Sequence, residues 1–485
     1  MSLPTQAANG HGSDVNGPVA NGAARHGPRK SKPSPPGRSL LRQTAPEQLH
    51  DLVGVGFGPA SLAIAVALHD SLESSRSKSG SASLDNKRSP KVAFLERQPQ
   101  FAWHAGMLLP GAKMQITFIK DLATLRDPRS EFTFLNYLHR RDRLVQFTNL
   151  GTFLPLRVEY EDYMRWCAGW FTDVVGYGQE VLEIVPKQGS SSKVVDGFVV
   201  KARDITTGNI TTRRARNVVI GVGGRPHIPP HFPQKHPRVI HSSKYSSAVP
   251  ALLTDREKPY RIAVIGSGQS AAEIFNDLHG RYPNAKTSLI IKGSALKPSD
   301  DSPFVNEIFD PERVDTFYEQ SPEIRQASLE HDRATNYGVV RLDLLERLYS
   351  DLYVQRLREP DEEKWAHNIL NFRNVTKIEE LPPAGESASH GSLRLHIQRL
   401  TGCPKSERAS GIETMDVDAV LVATGYVRDA YDDMLQQARH LMPGGDEAGK
   451  KWAVGRDYRI QFQPGTVDEN AGVWLQGCNE RTHGV

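Results

Sequence analysis

The chain has 485 residues, of which 24% are charged, and a net charge of +4 at pH 7. This length allows two or three domains, and the small net charge, without a basic face interleaved with aromatics, argues against nucleic-acid binding. We find no apolar run of the roughly 18 residues that a membrane span needs, and no secretory signal, so we expect a cytoplasmic protein.

The cysteines argue against several kinds of site. Cys167, Cys403 and Cys478 are far apart and form no CxxC pair. The sequence therefore predicts neither a disulfide framework, nor a redox pair, nor a metal site.

The first ordered segment is expected near Leu49. Residues 1–46 are rich in Gly, Ala, Asn, Ser and Pro, with a basic cluster at 29–32. Such a composition cannot bury enough apolar area to offset its chain entropy, so we interpret it as a disordered tail, with a targeting role as the alternative.

The first nucleotide-binding pattern is at residues 51–61, an apolar strand followed by a glycine turn and a helix. Glycines let the backbone turn sharply and approach a pyrophosphate at the N-terminus of the helix. A strand at 92–95 then ends in Glu96, and an acid at this place binds the ribose hydroxyls of an adenosine. Between them, the Ser- and Lys-rich residues 71–90 are predicted to form a mobile insertion.

The middle of the chain contains aromatic residues at helical spacing in 134–138 and 160–171, which predict core helices. A strand at 218–226 meets a second type of glycine turn, where the chain is expected to pass close to a ligand. Residues 227–233 form a loop that leaves the first domain.

A second nucleotide-binding pattern spans residues 261–273, and the strand after it, 287–291, is followed by Lys292. A cation at this place suits the 2′-phosphate of NADPH, with Lys297 as a second candidate and a solvated surface lysine as the alternative. Because Glu96 would repel a 2′-phosphate, the first pattern suits FAD.

These elements predict an α/β protein with two Rossmann-like dinucleotide-binding domains and a small, mainly helical substrate-binding portion. We expect a helical stretch after residue 298, a hairpin with surface loops at 384–410 and an apolar strand at 419–426. The expected division is a tail at 1–46, an FAD domain at 47–250 plus 411–485, and an NADPH domain at 251–410, with the substrate-binding portion at about 298–365.

Longer motifs carry a resemblance to a known family, the fungal L-ornithine N5-monooxygenases of siderophore biosynthesis. The resemblance runs from about residue 48 to the last residue, and its motifs are residues 101–107, 113–121, 127–130, 132–138, 266–274, 300–309, 334–337 and 423–426. These enzymes are class B flavoprotein monooxygenases, and their lysine-hydroxylating relatives share the same plan.

The resemblance implies an enzyme in which the flavin, rather than a catalytic side chain or a metal, performs the chemistry. NADPH reduces FAD, O2 adds to form a C4a-hydroperoxide, and the neutral side-chain amine of L-ornithine attacks it. This is the first step of hydroxamate siderophore biosynthesis, in the service of iron acquisition. The resemblance further implies a homotetramer.

Site residues are carried over by position in these motifs. For the substrate, Lys113 is expected to bind the carboxylate, Asn306 the α-amino and carboxylate groups, and Asn336 the side-chain amine. The residues expected to bind FAD are Gly54, Gly56, Gly58, Pro59, Ala60, Ser61, Glu96, Arg97, Trp103, His104, Met107, Gln115 and, through its backbone, Val181. The residues expected to bind NADPH are Gly266, Ser267, Gly268, Gln269, Ser270, Lys292, Asn336 and Tyr337.

The sequence departs from the family at two places and leaves two alternatives open. Pro59 takes the place of the last glycine in the first turn, and the chain stops at Val485 where family members continue with a Ser/Leu-rich helix. One alternative is therefore a truncated flavoprotein that binds FAD weakly and oxidises NADPH mainly to peroxide. The other is L-lysine N6-hydroxylation, because one methylene is worth only ~1–3 kcal/mol in a pocket.

Overall fold

The computed structural model describes residues 37–79, 89–189, 193–382, 391–400 and 411–484. Order begins earlier than expected from composition. Leu41 is buried in an aromatic core, and the Ser39 N–H donates to the Trp170 carbonyl oxygen at 2.9 Å. The apolar residue after the Pro-rich segment therefore anchors the end of the expected tail, and residues 1–36 lie outside the described part.

The described strands are β1 Leu49–Val55, β2 Val92–Glu96, β3 Val175–Tyr177, β4 Gln179–Gln188, β5 Val195–Asp204, β6 Ile210–Ile220, β7 Arg225–Pro226, β8 Val239–His241, β9 Arg261–Ile265, β10 Lys286–Ile290, β11 Lys297–Pro298, β12 Val339–Val340, β13 His367–Leu370, β14 Arg373–Glu380, β15 Leu393–Arg399, β16 Ile412–Val417, β17 Ala419–Val422, β18 Tyr426–Val427 and β19 Gly472–Leu475.

The described helices are α1 Pro59–Ser79, α2 Phe134–Arg140, α3 Leu144–Thr148, α4 Arg157–Ala168, α5 Tyr245–Leu252, α6 Gln269–Arg281, α7 Pro303–Asn306, α8 Arg313–Tyr318, α9 Pro322–Asn336, α10 Leu342–Arg358, α11 Ala430–Met434 and α12 Glu480–His483. Among these described helices, none has the length and apolar composition required to cross a membrane.

The first sheet has a parallel part in the order β3-β2-β1-β6-β19, which an antiparallel hairpin, β4-β5, extends along the other half of β6. One face carries α1 and α4 with a core of aromatic side chains, and the other is covered by the segment that leads to β19. The parallel order places the carboxyl ends of β1, β2, β6 and β19 at one edge, where a dinucleotide binds in such folds.

The second sheet is wholly parallel, in the order β13-β10-β9-β17-β8, and a three-stranded antiparallel sheet, β14-β15-β16, packs against it. Strand β8, and β16 with β17, belong to this second half, although the expected boundaries put them in the FAD domain. β17 pairs with β9 and with β8, and β16 pairs with β15, which groups these strands with the second sheet.

Two local expectations also differ from the structure. Helix α1 continues to Ser79, through the first part of the expected mobile insertion, whereas residues 80–88 lie outside the described residues. The expected hairpin at 384–410 is in fact one strand, β15, that pairs with β14 and β16 on its two sides, and residues 383–390 and 401–410 are not described. The two-Rossmann fold class itself is confirmed.

Candidate functional site

The first glycine turn connects β1 to α1 and packs against the end of β6. Gly56 has φ +86°, and a Cβ added there would lie 2.8 Å from the carbonyl oxygen of Gly221. Only glycine fits that backbone and that contact. Gly58, two residues on, has no atom within 4 Å of an added Cβ, so the turn presents one open side beside the first N–H groups of α1.

Glu96, at the end of β2, is buried and points back at this turn. Its Oε2 accepts the Phe57 N–H at 2.7 Å, and its Oε1 accepts the Gln98 N–H at 2.8 Å. The Ser61 hydroxyl in the first turn of α1 is buried without a hydrogen-bond partner among the described residues. An open turn, a fixed carboxylate and an orphaned hydroxyl fit the pyrophosphate and ribose of FAD.

The second glycine turn connects β9 to α6 and lies against β17 and the end of α9. Gly266 has φ +137°, and an added Cβ would lie 2.4 Å from the Ala423 carbonyl oxygen. A Cβ on Gly268 would lie 3.6 Å from Gly338 Cα, and a Cβ on Gly338 would lie 3.7 Å from Ser267 Oγ. The structure thus brings Gly338 to the second turn, and the NADPH-binding roles of the preceding Asn336 and Tyr337 stay predictions.

Lys292 follows β10 and is exposed, and it pairs with no other side chain in the described part of the chain. This setting leaves its ammonium group available for a phosphate. Lys297, the second candidate, is also exposed.

A row of rings connects the loop that contains Trp103 to the segment that contains Tyr426. Trp103 and His104 have ring centroids 4.8 Å apart, and the His104 ring lies 6.2 Å from that of Tyr426. His104 has φ 46°, in the left-handed region, and the residue is exposed. Surrounding protein atoms, with the charges of Arg157 and Arg428, lower the pKa of His104 to about 4, so its ring is neutral at pH 7.

Tyr337 is tied to the C-terminal helix. Its hydroxyl donates to Glu480 at 2.9 Å, and Arg428 donates to the same hydroxyl at 3.3 Å and to Glu480 at 3.5 Å. Burial and the Glu480 carboxylate raise the pKa of Tyr337 above its usual range. The group therefore joins α9, α12 and the connection after β17.

The three expected substrate residues are not joined to one another by any hydrogen bond in the described residues. Lys113 is exposed in an isolated antiparallel bridge with Leu156, and Gln115 is exposed on the same side. Asn306 ends the short helix α7 and donates from Nδ2 to the Asp301 carbonyl oxygen at 2.9 Å. Asn336 is exposed at the end of α9.

Other expected residues have structural settings. Met107 and Val181 are buried, and Met107 packs in the core cluster of the second half. Gly54 lies inside β1, where a Cβ would meet the Phe94 ring at 2.2 Å. Arg97 is mostly exposed and lies 3.9 Å from the Glu180 carboxylate. The remaining expected residues lie in the two turns, namely Pro59, Ala60, Gln269 and Ser270.

Behind the second turn lies an ion pair that the sequence did not predict. Glu273, in α6, is buried and accepts from Arg157, which begins α4, at 2.8 and 2.9 Å. The sequence did contain a signal for this pair. Glu273 follows small apolar residues on the face of a helix that is expected to pack against the protein. A buried charge there requires a partner.

The profile of the family described as L-lysine 6-monooxygenase/L-ornithine 5-monooxygenase matches residues 48–428. An L-ornithine N(5)-monooxygenase from Cochliobolus heterostrophus is 57% identical over 455 residues, which cover 92% of this chain and 85% of the relative.

Solved structures are similar as well. An ornithine hydroxylase from Pseudomonas aeruginosa superposes with TM-score 0.75 at 35% identity, over 90% of this chain and 94% of its own. The ornithine N-hydroxylase of Kutzneria sp. 744, solved with reduced FAD, NADP+ and L-ornithine, has TM-score 0.75 and 34% identity over the same shares. The chain therefore belongs to the L-lysine 6-monooxygenase/L-ornithine 5-monooxygenase family.

Proposed function

We propose that this protein is an L-ornithine N5-monooxygenase that uses FAD, NADPH and O2. The observation that carries the proposal is the pairing of two glycine turns with opposite charges, the buried Glu96 after the first and the exposed Lys292 after the second. An acid suits the free ribose of FAD, and a cation suits the 2′-phosphate of NADPH. The names of the relatives support ornithine as the substrate.

The protein's contribution is to bind, orient and shield. The flavin, when bound, supplies the redox chemistry that activates O2 for transfer to an amine. Glu96 and the first turn hold the adenosine and pyrophosphate of FAD, while the ring row at Trp103 and His104 borders the flavin end. A neutral His104 adds no positive charge of its own to those of Arg157 and Arg428.

For the substrate, we propose that Lys113 binds the carboxylate, that Asn306 binds the α-amino and carboxylate groups, and that Asn336 orients the side-chain amine. Lys113 is exposed, as a residue that receives a ligand from solvent must be. A charge-assisted hydrogen bond between an ammonium and a carboxylate suits recognition of a free amino acid. The same three groups would accept L-lysine, which is why its N6-hydroxylation is the second candidate.

The experiment compares ornithine and lysine at equal concentration with FAD-loaded protein and NADPH. Hydroxylated amine and hydrogen peroxide are measured in the same samples. We expect hydroxylated ornithine in excess of peroxide, and lysine to be hydroxylated much more slowly. Equal hydroxylation of both amino acids would contradict ornithine specificity, and NADPH oxidation that gives only peroxide would contradict the proposed monooxygenase.

Three wider features belong to the same proposal. Family resemblance supports a homotetramer, a cytoplasmic location and a role in hydroxamate siderophore biosynthesis. Light scattering coupled to size-exclusion chromatography measures the first, and a monomeric mass would contradict it. Microscopy of the fluorescently tagged protein addresses the second, and the iron-dependent growth of a strain that lacks the gene addresses the third.

A further inference from the structure

One buried ion pair connects the two halves of the molecule. Arg157 Nη1 donates to Glu273 Oε2 at 2.8 Å and Nη2 donates to Oε1 at 2.9 Å, with side-chain exposures of 12% and 6%. Helix α4, which Arg157 begins, packs in the aromatic core of the first half. Helix α6, which contains Glu273, packs in the core of the second.

Each residue of this pair makes a further hydrogen bond on the side of one expected cofactor site. On one side Arg157 Nη1 also donates to the Met107 carbonyl oxygen at 2.9 Å, at the end of the loop that contains His104. On the other side Gln269, which begins α6 directly after the second glycine turn, donates from Nε2 to Glu273 at 2.9 Å. The Gln269 Oε1 in turn accepts the N–H of Arg341, just before α10, at 2.9 Å. A continuous set of hydrogen bonds therefore runs from the flavin-side loop to the NADPH-side turn.

We propose that Arg157 and Glu273 are positioning residues that fix the second glycine turn at a set distance and angle from the loop at residues 104–107. The inference rests on the proposed positions of FAD and NADPH. A planar guanidinium that binds both oxygens of one carboxylate defines direction as well as distance, which a single hydrogen bond does not. The pair is buried, so salt screens it little.

A purely stabilising role explains this arrangement poorly. A buried ion pair commonly adds little net stability compared with apolar side chains of similar size, because both charges lose their hydration. The interface around it already has apolar contacts, since Met107, Leu109 and Ala112 pack in the same cluster as Tyr245 and Ala272. What the ion pair adds to this packing is a defined geometry between two turns that must present two cofactors to each other.

The main variant is Arg157→Met with Glu273→Leu, which keeps apolar volume and leaves neither charge unpaired. Its matched control is Arg394→Met with Asp416→Leu. That pair is also bidentate, at 2.7 and 2.9 Å, but lies within the antiparallel sheet β14-β15-β16. Arg157→Lys keeps the charge but lacks the guanidinium that donates two hydrogen bonds to one carboxylate. It is the milder variant should the double variant fail to fold.

Two measurements test the proposal. In FAD-loaded protein at saturating NADPH, we expect flavin reduction to slow at least tenfold in the main variant, while the Kd for NADP+ from calorimetry changes by less than about threefold. Arg157→Lys should show the same split to a smaller degree. In cofactor-free protein, hydrogen exchange should accelerate together in the peptides that cover 103–109 and 266–273, and the control variant should match wild type in both assays.

The results that would overturn the proposal are equally distinct. Reduction at the wild-type rate in the main variant or in Arg157→Lys would show that the pair does not position the turns, as would faster exchange in only one of the two peptides. If the wild-type protein fails to oxidise NADPH, the proposed function fails instead. The hydrogen-exchange comparison still decides whether the two turns are coupled.

Discussion

The residues that we propose to select the two cofactors, Glu96 and Lys292, have opposite settings. Glu96 is buried, and both of its carboxylate oxygens accept backbone N–H groups of the first half. Lys292 is exposed, and none of the described residues offers it a partner side chain. We infer that the folded protein itself fixes the Glu96 carboxylate on the FAD side, whereas the Lys292 ammonium on the NADPH side stays exposed to solvent until its ligand binds. This difference matches a cofactor that stays bound and one that must exchange in each cycle.

The largest effect that this comparison predicts is on Glu96. Glu96→Ala should lower the free energy of unfolding by about 3 kcal/mol or more, because two charge-assisted hydrogen bonds of ~1.5–3 kcal/mol each are lost and two N–H groups lose their partners. FAD retention should fall with it. Chemical denaturation and the flavin-to-protein absorbance ratio after gel filtration measure both.

The control for this variant is Glu73→Ala on the same half, since the Glu73 side chain is 54% exposed. We expect that variant to behave as wild type. A stable Glu96→Ala protein that keeps its full FAD content would refute the idea that the first site is part of the fold.

A second effect belongs to the core of the second half. The rings of His279 and His367 stack with centroids 3.6 Å apart, and Thr287 Oγ1 lies 2.8 Å from His367 Nδ1. Burial lowers the pKa of His279 to about 3 and that of His367 to about 4, and the charge that His367 would carry lowers the pKa of His279 further. Both rings are therefore neutral at pH 7.

The sign of the pH dependence follows from these lowered values. Below pH 6.5 the unfolded chain takes up protons that the folded chain refuses, so stability is complete above pH 6.5 and falls as pH drops toward 4. Each histidine contributes at most about 1.4 kcal/mol per pH unit, or about 2 kcal/mol together by pH 5.5. Denaturation at pH 7.5 and 5.5 should show a smaller loss in His279→Phe, and an equal loss would contradict this assignment.

A third effect concerns Lys113 on the first half, a charge that we expect to bind a ligand rather than to stabilise the fold. Lys113→Ala should weaken ornithine binding ten- to a hundredfold, about 1.5–3 kcal/mol, because a charge-assisted hydrogen bond is lost. NADPH should still reduce the flavin, and the unfolding free energy should hardly change, since Lys113 is exposed. Half-saturation by ornithine measures this, with Lys120→Ala, also exposed in the same segment, as control. An unchanged ornithine requirement would remove Lys113 from the substrate site.

The sequence predicted the parts of this site that depend on local chemistry. The glycine turns and Glu96 follow from spacing along the chain, because a turn, a strand end and a helix start are set by neighbouring residues. The pairing of β17 with β9 and of β8 with β17 was not predicted, because these are short apolar strands whose partners lie elsewhere in the chain. Strand partners depend on long-range pairing that composition does not encode.

The same limit explains Arg157 and Glu273. They are 116 positions apart, so no local pattern links a cation that begins one helix to an acid inside another. Resemblance named the residues expected to touch ligands, such as Lys113, but it carried no information on which residues hold those groups in place. The structure identifies these positioning residues, because it shows the two helices in contact.

The smallest predicted effect concerns Lys292 and tests the NADPH side of the comparison between Glu96 and Lys292. If Lys292 is a solvent-facing reader of the 2′-phosphate, Lys292→Ala should leave the unfolding free energy and FAD content unchanged. It should reduce the preference for NADPH over NADH about tenfold, equivalent to about 1.4 kcal/mol. The loss should fall on NADPH alone, because NADH has no phosphate to lose, and it should shrink as salt rises since the contact is exposed.

Stopped-flow reduction of the flavin with both nucleotides measures the Lys292 effect. Lys297→Ala tests the second candidate, and Lys286→Ala, at the opposite end of β10, is the control. If Lys292→Ala keeps the full preference for NADPH over NADH while Lys297→Ala loses it, Lys297 in β11 binds the phosphate. The contrast between a buried acid on the FAD side and an exposed cation on the NADPH side then still holds, with a different lysine. If neither variant changes the preference, the contrast fails on the NADPH side, because no exposed cation at this strand end then reads the nucleotide.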